Sequence, residues 1–166
     1  MAVKFIWRKI RQILEIVVFK VLKLKIPMAK WEGILQFIKF GIVGLSNTLI
    51  GFLIYTITLL GIRAVDIFPS VDIYISQLIM FLLSVAWSFY WNNKYVFSVK
   101  DGERKILIPL LKTYASYALT SLVLSELLLH LWVKVFGINE FISPMLSLLI
   151  TVPVNFIIQK KWAFKG

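Results

Sequence analysis

Between Lys39 and Arg63 run 23 residues without a formal charge. Asp72 and Lys94 bracket 21 more, and Glu140 and Lys160 bracket 19. A fourth interval, from Thr113 to Val133, carries only Glu126 and His130 as ionisable groups besides its tyrosines. A helix needs about 20 apolar residues to cross a hydrocarbon core about 30 Å thick. The intervals are too long, and too poor in alternation, for membrane strands. They predict transmembrane helices near 37–60, 73–93, 113–133 and 141–159, and an all-α polytopic membrane protein. Composition agrees: 60% of the 166 residues are hydrophobic and 16% are charged, against roughly 25% charged in a soluble domain.

The connecting segments set the expected orientation. Seventeen of the nineteen Lys and Arg residues lie in 1–39, 94–112 and 160–166; only Arg63 and Lys134 lie in the other two connections. Four spans put the three basic segments on one face, and the positive-inside rule makes that face cytoplasmic, with both termini on it. The formal charge of +11 therefore points to anionic membrane lipid or a phosphate-bearing ligand. No recognition motif for nucleic acid accompanies it. With no cysteine, disulfides and thiolate chemistry are excluded.

Residues 1–36 read as a cytoplasmic basic arm. Ile6, Ile10, Ile13, Val17, Val21 and Leu24 recur three or four apart among Arg8, Lys9, Arg11, Lys20, Lys23 and Lys25. That pattern predicts an amphipathic helix lying at the interface, ended by Pro27. Residues 37–164 form the four-helix domain and 165–166 a short tail. A weak repeat divides the domain. Asn92-Asn93-Lys94-Tyr95-Val96-Phe97 closes the second span as Gln159-Lys160-Lys161-Trp162-Ala163-Phe164 closes the fourth, and Phe89 corresponds to Phe156 at the same offset. At the beginnings, Phe40, Gly41 and Gly44 correspond to Tyr114, Ala115 and Ala118. Two helices per unit make such repeats parallel; convergence on basic, aromatic helix ends also accounts for the endings.

Polar residues inside the spans fall into stripes. Gly41, Gly44, Thr48, Gly51, Tyr55 and Thr58 line the first span, with Asn47 beside them. Ser84, Ser88 and Asn92 mark the second span; Ser143, Ser147, Thr151, Asn155 and Gln159 mark the fourth. Small residues let membrane helices approach and their hydroxyls or amides bond across the contact. Repetition on several helices also fits a shared polar cavity toward the cytoplasmic end. Pro153 predicts a kink and Ser143 an N-cap ahead of Pro144. Glu126 is the one carboxyl group deep within a span, where ionisation is costly, and His130 follows one turn on. The pair fits a proton-responsive or head-group contact as well as a structural hydrogen bond. Two such groups do not make a metal site. No nucleotide loop, zinc-protease motif or nucleophile elbow occurs, so no cofactor and no enzymatic activity are expected.

Three strings resemble the GtrA-like family of four-span membrane proteins. They are Phe37-Ile38-Lys39-Phe40-Gly41-Ile42-Val43-Gly44-Leu45-Ser46-Asn47, the run from Phe89 to Phe97, and the run from Val154 to Phe164. The family's usual terminal-motif asparagine is Gln159 here. The resemblance implies a role in cell-surface polysaccharide assembly in the bacterial cytoplasmic membrane, O-antigen or teichoic-acid glycosylation included. The implied function is translocation of a polyprenyl-phosphate-linked sugar; the alternative is a non-transporting partner of a polyprenyl-phosphate glycosyltransferase. A proton-coupled multidrug exporter is a weaker third reading. Under the first, Lys39, Lys94, Lys160 and Lys161 meet the phosphate, while Asn47, Asn92, Asn155 and Gln159 bond phosphate or sugar. Four helices enclose little volume for a lipid, so a homo-oligomer is expected, packed through the first span's small-residue face.

Overall fold

The computed structural model describes residues 2–66, 70–98, 106–139 and 142–165, with side chains from residue 5 onward. Four helices are long and apolar enough to span a membrane: Met28–Ala64, Asp72–Val96, Leu107–Val135 and Ser143–Ala163. All four expected spans are present, each longer than its uncharged interval. A hydrocarbon boundary ends a run of apolar side chains, but it does not end backbone hydrogen bonding. The third helix thus begins at Leu107 rather than near 113, with Pro109 in its first turn where the missing N–H costs nothing. Each of the last three spans ends in a wider π-helical turn, at Asn92–Val96, Leu131–Val135 and Gln159–Ala163.

The chain divides into two compact units, Met1–Ile38 and Lys39–Gly166. In the first, the expected arm helix forms over Ala2–Glu15 and runs on through Ile16–Val21. Lys23 takes a left-handed conformation (φ 50°) before the next helix starts, just after Pro27. The two helical segments are tied by polar contacts. Arg11 Nε donates to Glu15 Oε1 at 2.8 Å and its Nη2 to Glu32 Oε1 at 2.6 Å; Trp31 Nε1 donates to Glu15 Oε1 at 3.3 Å. Trp31, edge-on to Phe19 with ring centroids 5.1 Å apart, is buried. Ile6, Ile13, Val17 and Val21 remain exposed on the arm.

Arg11, and after it Trp31, hold the Glu15 carboxyl below the ordinary carboxylate value. A depressed value means that this contact stabilises the unit fully above the unfolded carboxylate pKa, and loses that contribution as pH falls through the folded value. The 5-fluorotryptophan signal of Trp31 is expected to shift as pH falls below the ordinary carboxylate range and to be flat there in Glu15→Gln.

In the second unit the usual arrangement of a soluble core is inverted. Leu45, Leu49, Ile57, Leu78, Leu122 and Leu149 face outward, while Ser76, Ser88, Thr113, Ser116, Ser143 and Gln159 are wholly buried. Lipid solvates the leucines, so the spans pack by close approach of small side chains. Most of the buried hydroxyls are satisfied inside their own helix, donating four residues back. Ser76 donates to Asp72 O, Thr113 to Pro109 O, Ser116 to Lys112 O, Thr120 to Ser116 O and Ser147 to Ser143 O, at 2.7–3.0 Å. Ser143 does likewise to Asn139 O at 2.9 Å. It is therefore not the expected N-cap: Ile142 holds that position without a side-chain cap, and Pro144 sits in the first turn. Pro153 lies inside the fourth helix as expected.

The first span touches the bundle at few points. Phe40 meets Phe156 and Phe97, Trp87 Nε1 donates to Ser46 Oγ at 3.3 Å, and Gly51 lies against Met80 and Ser84. At the far end Arg63 Nε bonds the buried Asp72 Oδ2 at 2.7 Å, clamping the first span to the start of the second. Positions Gly41 and Gly44 have open space where a Cβ would stand, and Thr48 is exposed. Only Gly51, of the glycines in that stripe, is buried within the chain.

The repeat is visible in contacts. Phe97 N donates to Asn92 O and Phe164 N to Gln159 O, both at 2.8 Å. Phe89 stacks on Phe164 (5.6 Å, 17°) and, reciprocally, Phe97 stacks on Phe156 (5.9 Å, 29°). Phe97 and Phe164 stack on one another at 4.6 Å. Asn92 bonds Gln159, its own counterpart 67 residues on. Equivalent residues that touch each other lie on a local twofold axis, so the ends of the second and fourth spans are related as parallel repeats. The expected correspondence of the beginnings does not extend this symmetry. Phe40 is buried in the aromatic cluster, whereas Tyr114 is half-exposed and donates to Leu82 O at 2.5 Å beside Phe81.

Candidate functional site

Side chains that bond between spans gather where the second and fourth spans end, at the basic end of the bundle. Ser88 and Asn92 come from the second span, Tyr117 from the third, Asn155 and Gln159 from the fourth. The helical period places Ser88 and Asn92, and Asn155 and Gln159, one turn apart on a single face. Asn92 Nδ2 donates to Ser88 Oγ at 3.1 Å and to Gln159 Oε1 at 3.4 Å. Gln159 Nε2 donates to Asn155 Oδ1 at 3.3 Å. Ser88 Oγ and Tyr117 OH lie 2.6 Å apart, sharing a hydrogen bond. Asn92, Ser88 and Gln159 are wholly buried and Asn155 nearly so. One lone-pair site is unanswered: Asn92 Oδ1 is buried without a partner. A buried amide oxygen left unpaired costs roughly 1–3 kcal/mol, so this cluster stabilises the bundle less than an apolar one would.

Below the cluster the helix-internal hydroxyls continue it across the bundle. Ser76, Ser84, Thr113, Ser116, Thr120, Ser143, Ser147 and Thr151 are all buried. Together with the cluster they form a polar seam between the second, third and fourth spans. The seam is closed in this conformation. Its amides bond one another, and no open passage reaches Asn92 or Gln159, each 0% exposed.

Of the expected binding residues, Asn92, Asn155 and Gln159 are brought together and Asn47 is not. Asn47 Oδ1 is buried elsewhere on the first span, without a hydrogen bond. Lys94 is exposed beside the cluster. Its Nζ donates to Tyr90 OH at 2.8 Å and lies over the Tyr90, Tyr95 and Trp91 rings at 5.1, 5.6 and 5.9 Å. Lys160 is exposed with Nζ 5.5 Å from the centre of the Phe156 ring; Lys161 is exposed and Lys39 half-buried. The same end carries a cation that the motifs did not flag. Lys112 Nζ bonds Trp162 O at 3.3 Å and lies over that indole at 5.6 Å. Also unflagged were Tyr117 and the third span's own stripe, Thr113, Ser116 and Thr120, whose spacing of three and four was there to be read.

Glu126 and His130 take no part in the seam. The buried Leu128 fixes the inward side of the third helix there, and residues two before and two after it lie roughly 160° away. Both are exposed and form no ion pair with each other. The structural hydrogen bond that their one-turn spacing allows is not formed among the described residues. Among the described residues no group of three or more His, Cys, Asp or Glu side chains suits a metal.

The family model for the GtrA/DPMS transmembrane domain matches residues 39–164. The chain belongs to that family. The matched GtrA/DPMS region nearly coincides with the second compact unit, leaving the arm outside it. A dolichol-phosphate mannosyltransferase of Pyrococcus furiosus is 28% identical over 152 residues. The match covers 88% of this chain but 39% of that relative, so the chain spans well under half of the enzyme it resembles. No solved structure matches it significantly.

Proposed function

We propose that this GtrA/DPMS protein moves a polyprenyl-phosphate-linked sugar between the leaflets of the bacterial cytoplasmic membrane, with the basic end in the cytoplasm. The observation that carries the reading is the polar seam. It runs through the bundle and ends in buried amides with one unanswered acceptor, beside exposed Lys94 and Lys160. A sugar head group needs hydrogen-bonding partners at every depth of the bilayer, while its polyprenyl tail needs none. Parting the second and fourth spans exposes Asn92, Asn155 and Gln159 to the sugar, and leaves the tail in lipid. The lysines meet the phosphate by point charge and the adjoining rings supply an apolar face for the sugar. No bond is made or broken, so no catalytic residue is assigned.

The test is reconstitution. Purified protein in vesicles holding the lipid-linked sugar in one leaflet is expected to move it to the other faster than protein-free vesicles; equal rates reject the proposal. If phosphate engagement is electrostatic, Lys94→Gln and Lys160→Gln raise the half-saturating lipid concentration several-fold, by roughly 1 kcal/mol each near a surface. Unchanged saturation removes those lysines from the site.

The similarity to a larger mannosyltransferase favours a second reading, a non-transporting partner that orients a polyprenyl-phosphate glycosyltransferase in the membrane. That reading expects the rate of a co-reconstituted transferase to rise without leaflet movement. Measuring transfer and movement separately distinguishes the two.

A further inference from the structure

The lipid-facing side of the third span carries an ionisable pair that the polar seam does not use. Between Lys112 and Lys134 the span holds Glu126 and His130. At about 1.5 Å per residue Glu126 stands only about 4–5 Å from the midpoint between those lysines. Its side chain is too short to reach either aqueous face from there. It is exposed on the surface of the bundle and has no hydrogen bond or ion pair among the described residues. A carboxyl group in hydrocarbon requires a partner or a proton, and His130, exposed one turn on, is also unpaired.

We propose that this strip is the contact between two copies of the chain, with Glu126 of each copy bonding His130 of the other. An acid and an imidazole one turn apart on one helix form a self-complementary pattern. A twofold axis along the membrane normal keeps both copies in the same orientation, and each acid then faces the other copy's imidazole across an offset of about 6 Å along the helix. Side chains of that length close such an offset from both sides. The flanks suit close packing: Leu119, Leu122, Val123 and Leu127 are 51–67% exposed. Interhelical polar contacts in a bilayer confer specificity, and these flanks supply the packing. The contact lies on a different face from the first span's glycines, where a homo-oligomer was expected from sequence. It stands independently of any transport activity.

The experiment counts copies of the fluorescently labelled full chain in vesicles at high lipid dilution. Wild type is expected to remain paired. Glu126→Leu and His130→Leu should each weaken pairing about tenfold, and the exchange Glu126→His with His130→Glu should restore most of it. Wild type found as single copies overturns the proposal. So does pairing unchanged in both single variants, or an exchange as weak as they are. A second measurement does not depend on those variants folding. The chain has no cysteine, so Leu127→Cys is expected to give an oxidised dimer in native membranes, and Leu49→Cys, outward on the first span, is not. Leu127→Cys linked only to a different protein, or Leu49→Cys linking equally well, overturns it.

Discussion

Replacing Asn92 by leucine and Gln159 by methionine together is expected to leave the bundle folded and to stop lipid-sugar movement. The two amides bond each other across the pseudo-twofold at 3.4 Å, and Asn92 Oδ1 is unpaired. Removing both partners of a buried hydrogen bond in favour of apolar groups of similar shape is close to neutral, and removing an unpaired acceptor is favourable. The substitution removes the unpaired Asn92 Oδ1 but takes from Asn155 Oδ1 its donor, Gln159 Nε2; one orphaned acceptor replaces another, and the double variant should unfold within about 1 kcal/mol of wild type. A head group passing through the seam loses two of its binding partners, and its rate should fall at least about tenfold, or about 1.4 kcal/mol of barrier. Thermal unfolding in detergent and leaflet movement in vesicles read the two effects apart. Loss of stability together with activity would place these amides in packing alone.

Ser116→Leu is expected to do the opposite, destabilising the domain whatever it transports. Ser116 is wholly buried on the inward side of the third span, and its hydroxyl is satisfied within its own helix by Lys112 O at 2.8 Å. Losing that bond matters little. The added methyl groups matter more, because Ser116 is wholly buried where the third span packs against its neighbours through small side chains. Overpacking of a close-packed site costs typically about 1–3 kcal/mol, and this position belongs at the upper end. Ser121→Leu, on the exposed side of the next turn, should change nothing measurable. Denaturant titration of both variants provides the comparison.

Burying small hydroxyls, rather than leucines, is also what limited how much of this fold could be read from sequence. The four spans were legible because charge is so costly in hydrocarbon that an uncharged apolar run of about 20 residues signifies little besides a membrane helix. The repeat was legible at Asn92–Phe97 and Gln159–Phe164 because the same contacts recur there on both sides of a local axis. The third span hid its inward face. Thr113, Ser116 and Thr120 are bonded within their helix and mark its close-packed inward side, whereas the more conspicuous Glu126 and His130 point away. Period alone does not say which of two polar faces on a membrane helix turns inward, because lipid and protein interior are similarly apolar. Helix ends were misjudged for a related reason. Charge marks the hydrocarbon boundary, while the helix continues to wherever its last carbonyls are bonded, as at Phe97 N to Asn92 O. The Arg63–Asp72 clamp is not legible in the sequence, because two oppositely charged residues nine apart suggest a loop rather than a contact between helix ends.

If the closed seam opens to pass a head group, Ser88 is the place to watch it. Ser88 is wholly buried at the meeting of the second, third and fourth spans, and Ser88→Cys is a nearly isosteric change in a chain with no other cysteine. In vesicles loaded with the polyprenyl-phosphate sugar, labelling of that thiol by a water-soluble reagent and movement of the lipid are followed together. An opening seam predicts slow labelling without the lipid, faster labelling while it is being moved, and loss of movement in the labelled fraction. Movement at the unlabelled rate through fully labelled protein, or a folded protein that moves no lipid at all, would contradict it.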